Sequence, residues 1–383
     1  MTPAVDPEPI VPRYDHTSLG AVLPGVAKVL GVKTGHPAVP LPDAPRVCVV
    51  IVDGLGQRLL EDDAQCAPFL SSLLPDGRTL TAGCPSTTAT SMGSFGTGTP
   101  PGAHGLVGYE VLDPDRDLVF NELSWENGPD PFRWQPTSTV FQEVLLDGVE
   151  VTRIGPGFFD GSGLTNAALR GGRFRAASSM ADRVSAAVDA VKASPRALVY
   201  LYWGEMDKVG HVHGPASWEW VDELESVDRH LSSLAARVPA GTAIHVTADH
   251  GMVDVPFGHR VDLAGERDLL AGVRHVAGEP RATQLYLSPG TSPVEVVQRW
   301  QDRLADRAWV GTRDEMVDAG WFGAVRPDVR DRIGDVLAVM LDDGAVVDTA
   351  RMRPELVRLR GLHGSVTDEE RGIPFVTVPA RTA

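Results

Sequence analysis

Continuous apolar runs alternate with helix-period segments along most of this chain. The first run, Val47 to Val52, contains no polar residue and ends at Asp53. A run of that kind suits a strand buried on both faces of a parallel sheet. Gly54 and Gly56 break it at a turn, and a helix is predicted over 57–74 with Leu59, Leu60, Phe69, Leu70, Leu73 and Leu74 turned inward. Upstream, Leu19, Val22, Val26 and Leu30 recur at helical spacing over 17–30, interrupted by Pro24 and Gly25. Residues 1–16 read as a proline-bearing arm, and Pro37, Pro40, Pro42 and Pro45 as an extended approach to the first strand.

The middle of the chain is regular. Helices predicted at 137–146, 178–192 and 217–237 precede strands at 149–154, 197–203 and 243–248. Strands alternating with helices of ten or more residues point to βαβ units and a mainly parallel sheet. The stretch 109–136 breaks the rhythm. It carries Phe120, Trp125, Phe132 and Trp134 among acidic and proline residues, and reads as an irregular excursion serving as a rim or as packing anchors. After Gly251 the pattern shortens to β-like runs at 273–277, 282–287, 308–311 and 335–341, with a helix at 292–305. A final run, IPFVTV at 373–378, can rejoin the main sheet. The expected fold is α/β, an α/β/α sandwich with a central, mostly parallel sheet and an inserted α+β cap subdomain. The expected division is an N-terminal arm and short helix over 1–45, a catalytic domain from 46–251 and 363–383, and the insertion over 252–362.

Composition narrows the function. The 383 residues carry 51 acidic against 35 basic side chains, a net charge of -16. That balance argues against sequence-independent binding to duplex nucleic acid, which needs basic surface. It leaves nucleotides open, because bound cations reverse charge locally. Cys48, Cys66 and Cys84 are odd in number and match no zinc-knuckle spacing, so no disulfide framework is expected. The first residues lack a basic region followed by an apolar run, and no run reaches membrane-spanning length. A cytoplasmic enzyme without a membrane span is the expectation.

Candidate chemistry gathers where the apolar runs stop. Asp53 ends one run; Asp207 and His211 follow another; Asp249 and His250 follow a third; His363 stands late, in RGLHGS. Open α/β sheets place their sites outside the carboxyl ends of the strands. Asp207 and His211 are four apart, the helical spacing that puts both on one face, which favours His211 over nearby His213. Mixed carboxylate and imidazole donors suit zinc, manganese or iron. Two such ions about 4 Å apart clamp an in-line displacement at phosphorus. Thr87 and Thr88 both offer a hydroxyl at a predicted helix start, where backbone N–H groups favour anions.

These residues, in this order, resemble the alkaline phosphatase superfamily, and in particular its nucleotide pyrophosphatase/phosphodiesterase branch. The strand ending VVIVDGLG, the segment PSTTATS, the element GTGTPPGAHG, the D-x-x-x-H-x-x-G-P element at Asp207 to Pro215, the Ala248-Asp249-His250-Gly251 element and the late His363-Gly364 carry the likeness, over roughly 46–378. The resemblance implies Thr88 as the nucleophile. It implies one metal held by Asp207, His211 and His363, and a second held by Asp53, Asp249 and His250. The ions implied are two divalent cations, zinc with manganese as the alternative. The substrate implied is a small phosphate ester or nucleotide, a diester or pyrophosphate, hydrolysed through a phosphothreonyl intermediate. Two features depart from the branch: Ala248 replaces a hydroxyl residue, and Ser91 stands where an Asn contacts a phosphoryl oxygen. Ser91 is carried as a possible phosphoryl contact. A phosphomonoesterase of the same superfamily and a non-catalytic metal-binding protein are the alternatives. Mutase and sulfatase members of the superfamily need other nucleophile motifs, and no arginine stands out as a phosphate clamp.

Overall fold

The Val47–Val52 run does lie at the heart of a sheet. In the computed structural model, which describes residues 11–382, seven strands are ordered Arg78–Thr81, Gly372–Val378, Thr242–Thr247, Arg46–Val52, Ala197–Trp203, Glu150–Gly155 and Arg173–Ala176. The last five are parallel to one another. The final strand, Gly372–Val378, enters antiparallel between Thr242–Thr247 and the edge strand Arg78–Thr81. Every residue from Val47 to Val52 is fully buried, as its unbroken apolar character requires. Helices flank the sheet in two layers. Met180–Lys192 and Trp218–Arg237 pack together on one side, and Thr88–Thr97 packs with Gly163–Ala168 and Val140–Leu146 on the other.

The helix starts follow local chemistry. Ser179 and Ser217 accept the N–H groups of Asp182 and Trp220, and Thr139 closes a capping box with Gln142. The helix predicted over 57–74 is instead broken into Gln57–Asp62 and Pro68–Leu73 with 3-10 turns beside them. Pro68 cannot continue a helix from upstream but can begin one. The new start is capped from outside, since the Asp228 carboxylate accepts the N–H groups of Phe69 at 3.1 Å and Leu70 at 2.8 Å. The 109–136 excursion is more regular than its sequence suggests. It contains a hairpin of Glu110–Asp113 and Leu118–Asn121, and Phe120 packs edge-on against Trp125 and Trp134. Both edge strands of the main sheet escape sequence reading, because Arg78–Thr81 buries only Leu80 and Arg173–Ala176 buries nothing fully.

Residues between the main-sheet strands ending at Thr247 and starting at Gly372 form a second sheet. It is antiparallel, ordered Val273–Glu279, Ala282–Leu287, Val336–Met340, Ala308–Thr312. Helix Pro293–Leu304 covers it, and Val296, Trp300 and Leu304 join Leu285, Val310 and Met340 in a core separate from the main one. Among the described residues no helix is long and apolar enough to cross a membrane.

Candidate active site

Three neighbouring strands deliver the site. Thr242–Thr247, Arg46–Val52 and Ala197–Trp203 lie side by side and end at the same edge. Asp249, Asp53 and Asp207 follow those ends. Gly54, just past Asp53, adopts a φ of 77°, and a β-carbon there would sit 3.1 Å from the Cα of Asp207. A glycine is therefore what lets the first turn close under the Asp207 helix. That helix, Glu205–His213, places Asp207 and His211 on one face, as their spacing predicts.

The acidic and imidazole groups fall into two clusters. Asp207, His211 and His363 bring their donor atoms within 4.8 Å of one another, and so do Asp53, Asp249 and His250. In the first, Asp207 Oδ1 lies 3.4 Å from His211 Nε2 and 3.7 Å from His363 Nε2. In the second, His250 Nε2 lies 3.4 Å from Asp53 Oδ1 and 3.6 Å from Asp249 Oδ2. The clusters abut, because the His250 and His363 rings stack with centroids 3.6 Å apart. His213 stands outside both, 3.0 Å from Glu219.

Hydrogen bonding fixes which imidazole nitrogen faces inward. Nδ1 of His211 reaches the Gly361 carbonyl at 2.7 Å, Nδ1 of His363 the Ser86 carbonyl at 2.9 Å, and Nδ1 of His250 the Gly251 carbonyl at 3.0 Å. A carbonyl only accepts, so each Nδ1 carries the proton and each Nε2 presents a lone pair. The carboxylate atoms opposite those lone pairs, Asp53 Oδ1, Asp207 Oδ1 and Asp249 Oδ2, are buried and find no hydrogen-bond partner. Acceptors facing acceptors in a dry site need a cation between them. Burial, then Asp249 and Asp207, pushes the Asp53 carboxyl well above the usual carboxylate range. Burial also raises Asp249 despite His250 beside it. The donor set thus fits two cations, one per cluster.

Thr88 is the first residue of helix Thr88–Thr97 and is buried. Its Oγ1 lies 3.2 Å from His250 Nε2, facing the Asp53 cluster. Thr87 stands one residue earlier, at the cap position, with no capping bond from its side chain. Ser91 follows Thr88 on the same helix. It is fully buried and donates its one hydroxyl proton to the Asp249 carbonyl at 2.7 Å, bracing that loop. His104 lies away from the clusters and holds the turn after the helix, bonded to Ser94 and to the Leu106 N–H.

Comparison with known proteins gives the family. The type I phosphodiesterase / nucleotide pyrophosphatase family model matches residues 47–366. The chain belongs to that family. It is a hydrolase of the phosphodiesterase/pyrophosphatase type. Solved structures share its fold at low identity. Murine ectonucleotide pyrophosphatase/phosphodiesterase 5 aligns at 20% identity and TM-score 0.69, covering 87% of each chain. An inactive form of that murine protein in complex with AMP aligns at TM-score 0.68, with 20% identity and 87% coverage of each chain. Phosphonoacetate hydrolase from Sinorhizobium meliloti, in complex with phosphonoacetate, aligns at 20% identity and TM-score 0.70, covering 92% of this chain and 93% of that one.

Around the two clusters stand groups that sequence reading did not single out. The Tyr202 hydroxyl donates to Asp53 Oδ2. Arg183 grips Glu205 with two bonds of 2.8 Å, anchoring the Asp207 helix. Burial alone would raise Glu205, and Arg183 outweighs it to hold the carboxyl below its ordinary value. Arg281 and Glu370, both fully buried, pair through two bonds of 2.7 Å. Glu370 also accepts the Ser365 N–H at 3.0 Å, tying the His363 loop to the second sheet. Beside Thr88 opens a pocket lined by Met92, Arg153, Phe159, Phe174, Tyr200 and Tyr202, among others. Their signals lie in cross-strand and long-range neighbours, which a linear pattern does not display.

Proposed function

We propose that this chain cleaves phosphodiester or nucleotide pyrophosphate bonds in two steps through a phosphothreonyl intermediate at Thr88. The observation that carries the reading is the Thr88 hydroxyl at a helix start, 3.2 Å from His250 and facing two clusters of orphaned acceptors. Asp207, His211 and His363 would hold one divalent cation, and Asp53, Asp249 and His250 the other. Zinc, with manganese as the alternative, suits those donors and would supply Lewis-acid activation of oxygen nucleophiles and charge neutralisation at phosphorus.

The chain's own residues do the rest. Thr88 Oγ1 forms a bond to phosphorus as the opposite phosphorus–oxygen bond breaks, and the leaving oxygen takes up a proton. Water then attacks the same phosphorus from the vacated side, the Thr88 oxygen departs, and Thr88 regains its proton. Backbone N–H groups at the start of helix Thr88–Thr97 meet the phosphoryl oxygens. Ser91 holds the Asp249 loop rather than the substrate, so the branch's Asn contact has no counterpart at that position.

Similar folds bind AMP in one case and phosphonoacetate in another, so the substrate follows from the pocket and not from the fold. The decisive experiment is rapid-quench trapping with an activated aryl diester and the metal-loaded protein. Label on Thr88, and loss of turnover by orders of magnitude in Thr88→Ala, is the expected result. Label on Thr87, or turnover retained in Thr88→Ala, would overturn the assignment. A kcat/KM for a matched aryl monoester well above that for the diester would move the protein to the phosphomonoesterase reading.

A further inference from the structure

Four arginines are buried among the described residues: Arg153, Arg183, Arg281 and Arg332. Three have hydrogen-bond acceptors. Arg183 holds Glu205, Arg281 holds Glu370, and Arg332 donates to the Gly105 and Trp134 carbonyls. Arg153 is the exception. It is 8% exposed, and its Nε and Nη1 meet no acceptor. Two buried guanidinium nitrogens without hydrogen-bond acceptors are costly; burial disfavours the charge, Asp160 and Tyr200 act the other way, and the group stays charged.

Its placement says what it is kept for. Arg153 sits in strand Glu150–Gly155, directly across from Tyr200 on one side and Phe174 on the other. The guanidinium carbon lies 5.7 Å from the Phe174 ring centroid, which holds it by cation–π attraction. Arg153, Phe174 and Tyr200 all line the hollow that Thr88 also lines. Most of the remaining wall is apolar or aromatic, from Met92, Leu164, Leu169 and Phe159, with hydroxyls from Ser162 and Thr165. The free space is about 50 Å³. Since one water needs roughly 10–15 Å³ by this measure, the hollow admits a group of a few heavy atoms.

We propose that Arg153 determines specificity by pairing with a second anionic group, a carboxylate or a phosphoryl group, carried on a short arm beside the scissile phosphorus. A guanidinium presents a rigid fork that matches either oxyanion with two parallel bonds. The apolar walls exclude competing water and strengthen that pair. The inference deepens, and rests on, the phosphodiesterase reading above.

The test uses the full chain loaded with zinc and three p-nitrophenyl phosphodiesters whose second arm is propyl, 2-carboxyethyl or 2-phosphoethyl. The expected kcat/KM for the better anionic arm exceeds that for the propyl arm by about 10- to 100-fold, the worth of a charged hydrogen-bonded pair. Arg153→Met should bring that ratio to within about twofold of one, and Arg153→Lys, with charge but no fork, should leave it between the two. The carboxylate and phosphoryl arms show which oxyanion the site prefers. Binding is read separately, by calorimetry of the same esters with Thr88→Ala, where the anionic arm should bind more tightly only if Arg153 is present. A native ratio at or below one, or an unchanged ratio in a folded Arg153→Met protein, overturns the proposal. If no diester is turned over, the phosphodiester reading fails, while the calorimetric comparison still decides the role of Arg153.

Discussion

Metal loading should change the stability of this protein by an amount that can be worked out. Three buried carboxylate oxygens face three imidazole lone pairs with no hydrogen-bond partner. Cations that bind only the folded chain stabilise it by mass action, about 2.7 kcal/mol per site at a hundredfold excess over Kd. Two clusters give about 5.4 kcal/mol. Unfolding entropy near 2.1 cal/mol/K per residue, over 383 residues, is about 0.8 kcal/mol/K. The melting temperature should therefore rise by about 7 °C when chelator-stripped protein is reloaded with zinc. Asp53→Asn supplies the control. It removes one carboxylate from a crowded buried site and one donor from one cluster. The metal-free variant should melt above metal-free native protein, and the zinc-induced rise should fall to about half. Scanning calorimetry with metal content measured on each sample reads both quantities. A native protein with no zinc-dependent rise, or an Asp53→Asn variant that keeps the whole rise, would refute the reasoning.

Other expectations concern the residues that support the site. Arg281→Met leaves Glu370 buried and unpaired, and should cost about 3–5 kcal/mol in urea unfolding; a loss under about 1 kcal/mol would mean that the pair does not hold the His363 loop. Ser91→Ala removes one hydrogen bond to the Asp249 carbonyl and should lower stability by about 1 kcal/mol and kcat/KM less than about tenfold; a fall of a hundredfold or more at unchanged metal content would return Ser91 to the phosphoryl group. Burial holds His245 down to about 4, below the ordinary histidine value, so its folded form binds fewer protons than its unfolded form. Its stabilising contribution is complete above pH 6.5 and is lost as pH falls toward 4, by roughly 3 kcal/mol over that window. A His245→Gln variant should show a flatter acid limb, and an unchanged limb would exclude His245 as its source.

What the sequence displays and what it hides follow from the range of the interactions. The central strands are legible because burial on both faces leaves an unbroken apolar run, as at Val47–Val52. The long helices are legible because caps such as Ser179 and Ser217 lie next to them in sequence. The break at Pro68 is harder to see, since its cap comes from Asp228, on another helix. The edge strands hide because exposure removes the pattern. Within the site, Asp53, Asp207 and Asp249 announce themselves at run ends. His363 does not, and rests mostly on the family likeness; its place is fixed by the Ser86 carbonyl, 277 residues away. Arg153 and Tyr202 gain their meaning from neighbours across the sheet.

The same range of contact explains why the two clusters form one unit. His211 is oriented by the carbonyl of Gly361, in the segment that carries His363. His363 is oriented by the carbonyl of Ser86, in the segment that carries Thr88. Thr88 in turn meets His250, whose ring stacks on His363. Each imidazole outside the Asp249 turn is thus aimed by the backbone of the next segment in the site. A shift of the Cys84–Ser86 segment would turn His363, and through the stacked rings would disturb His250 and the hydroxyl of Thr88. Nucleophile position and cation affinity are therefore set by one hydrogen-bonded circuit. A substitution in the Ser86 segment should alter both together, even though Ser86 itself belongs to neither cluster.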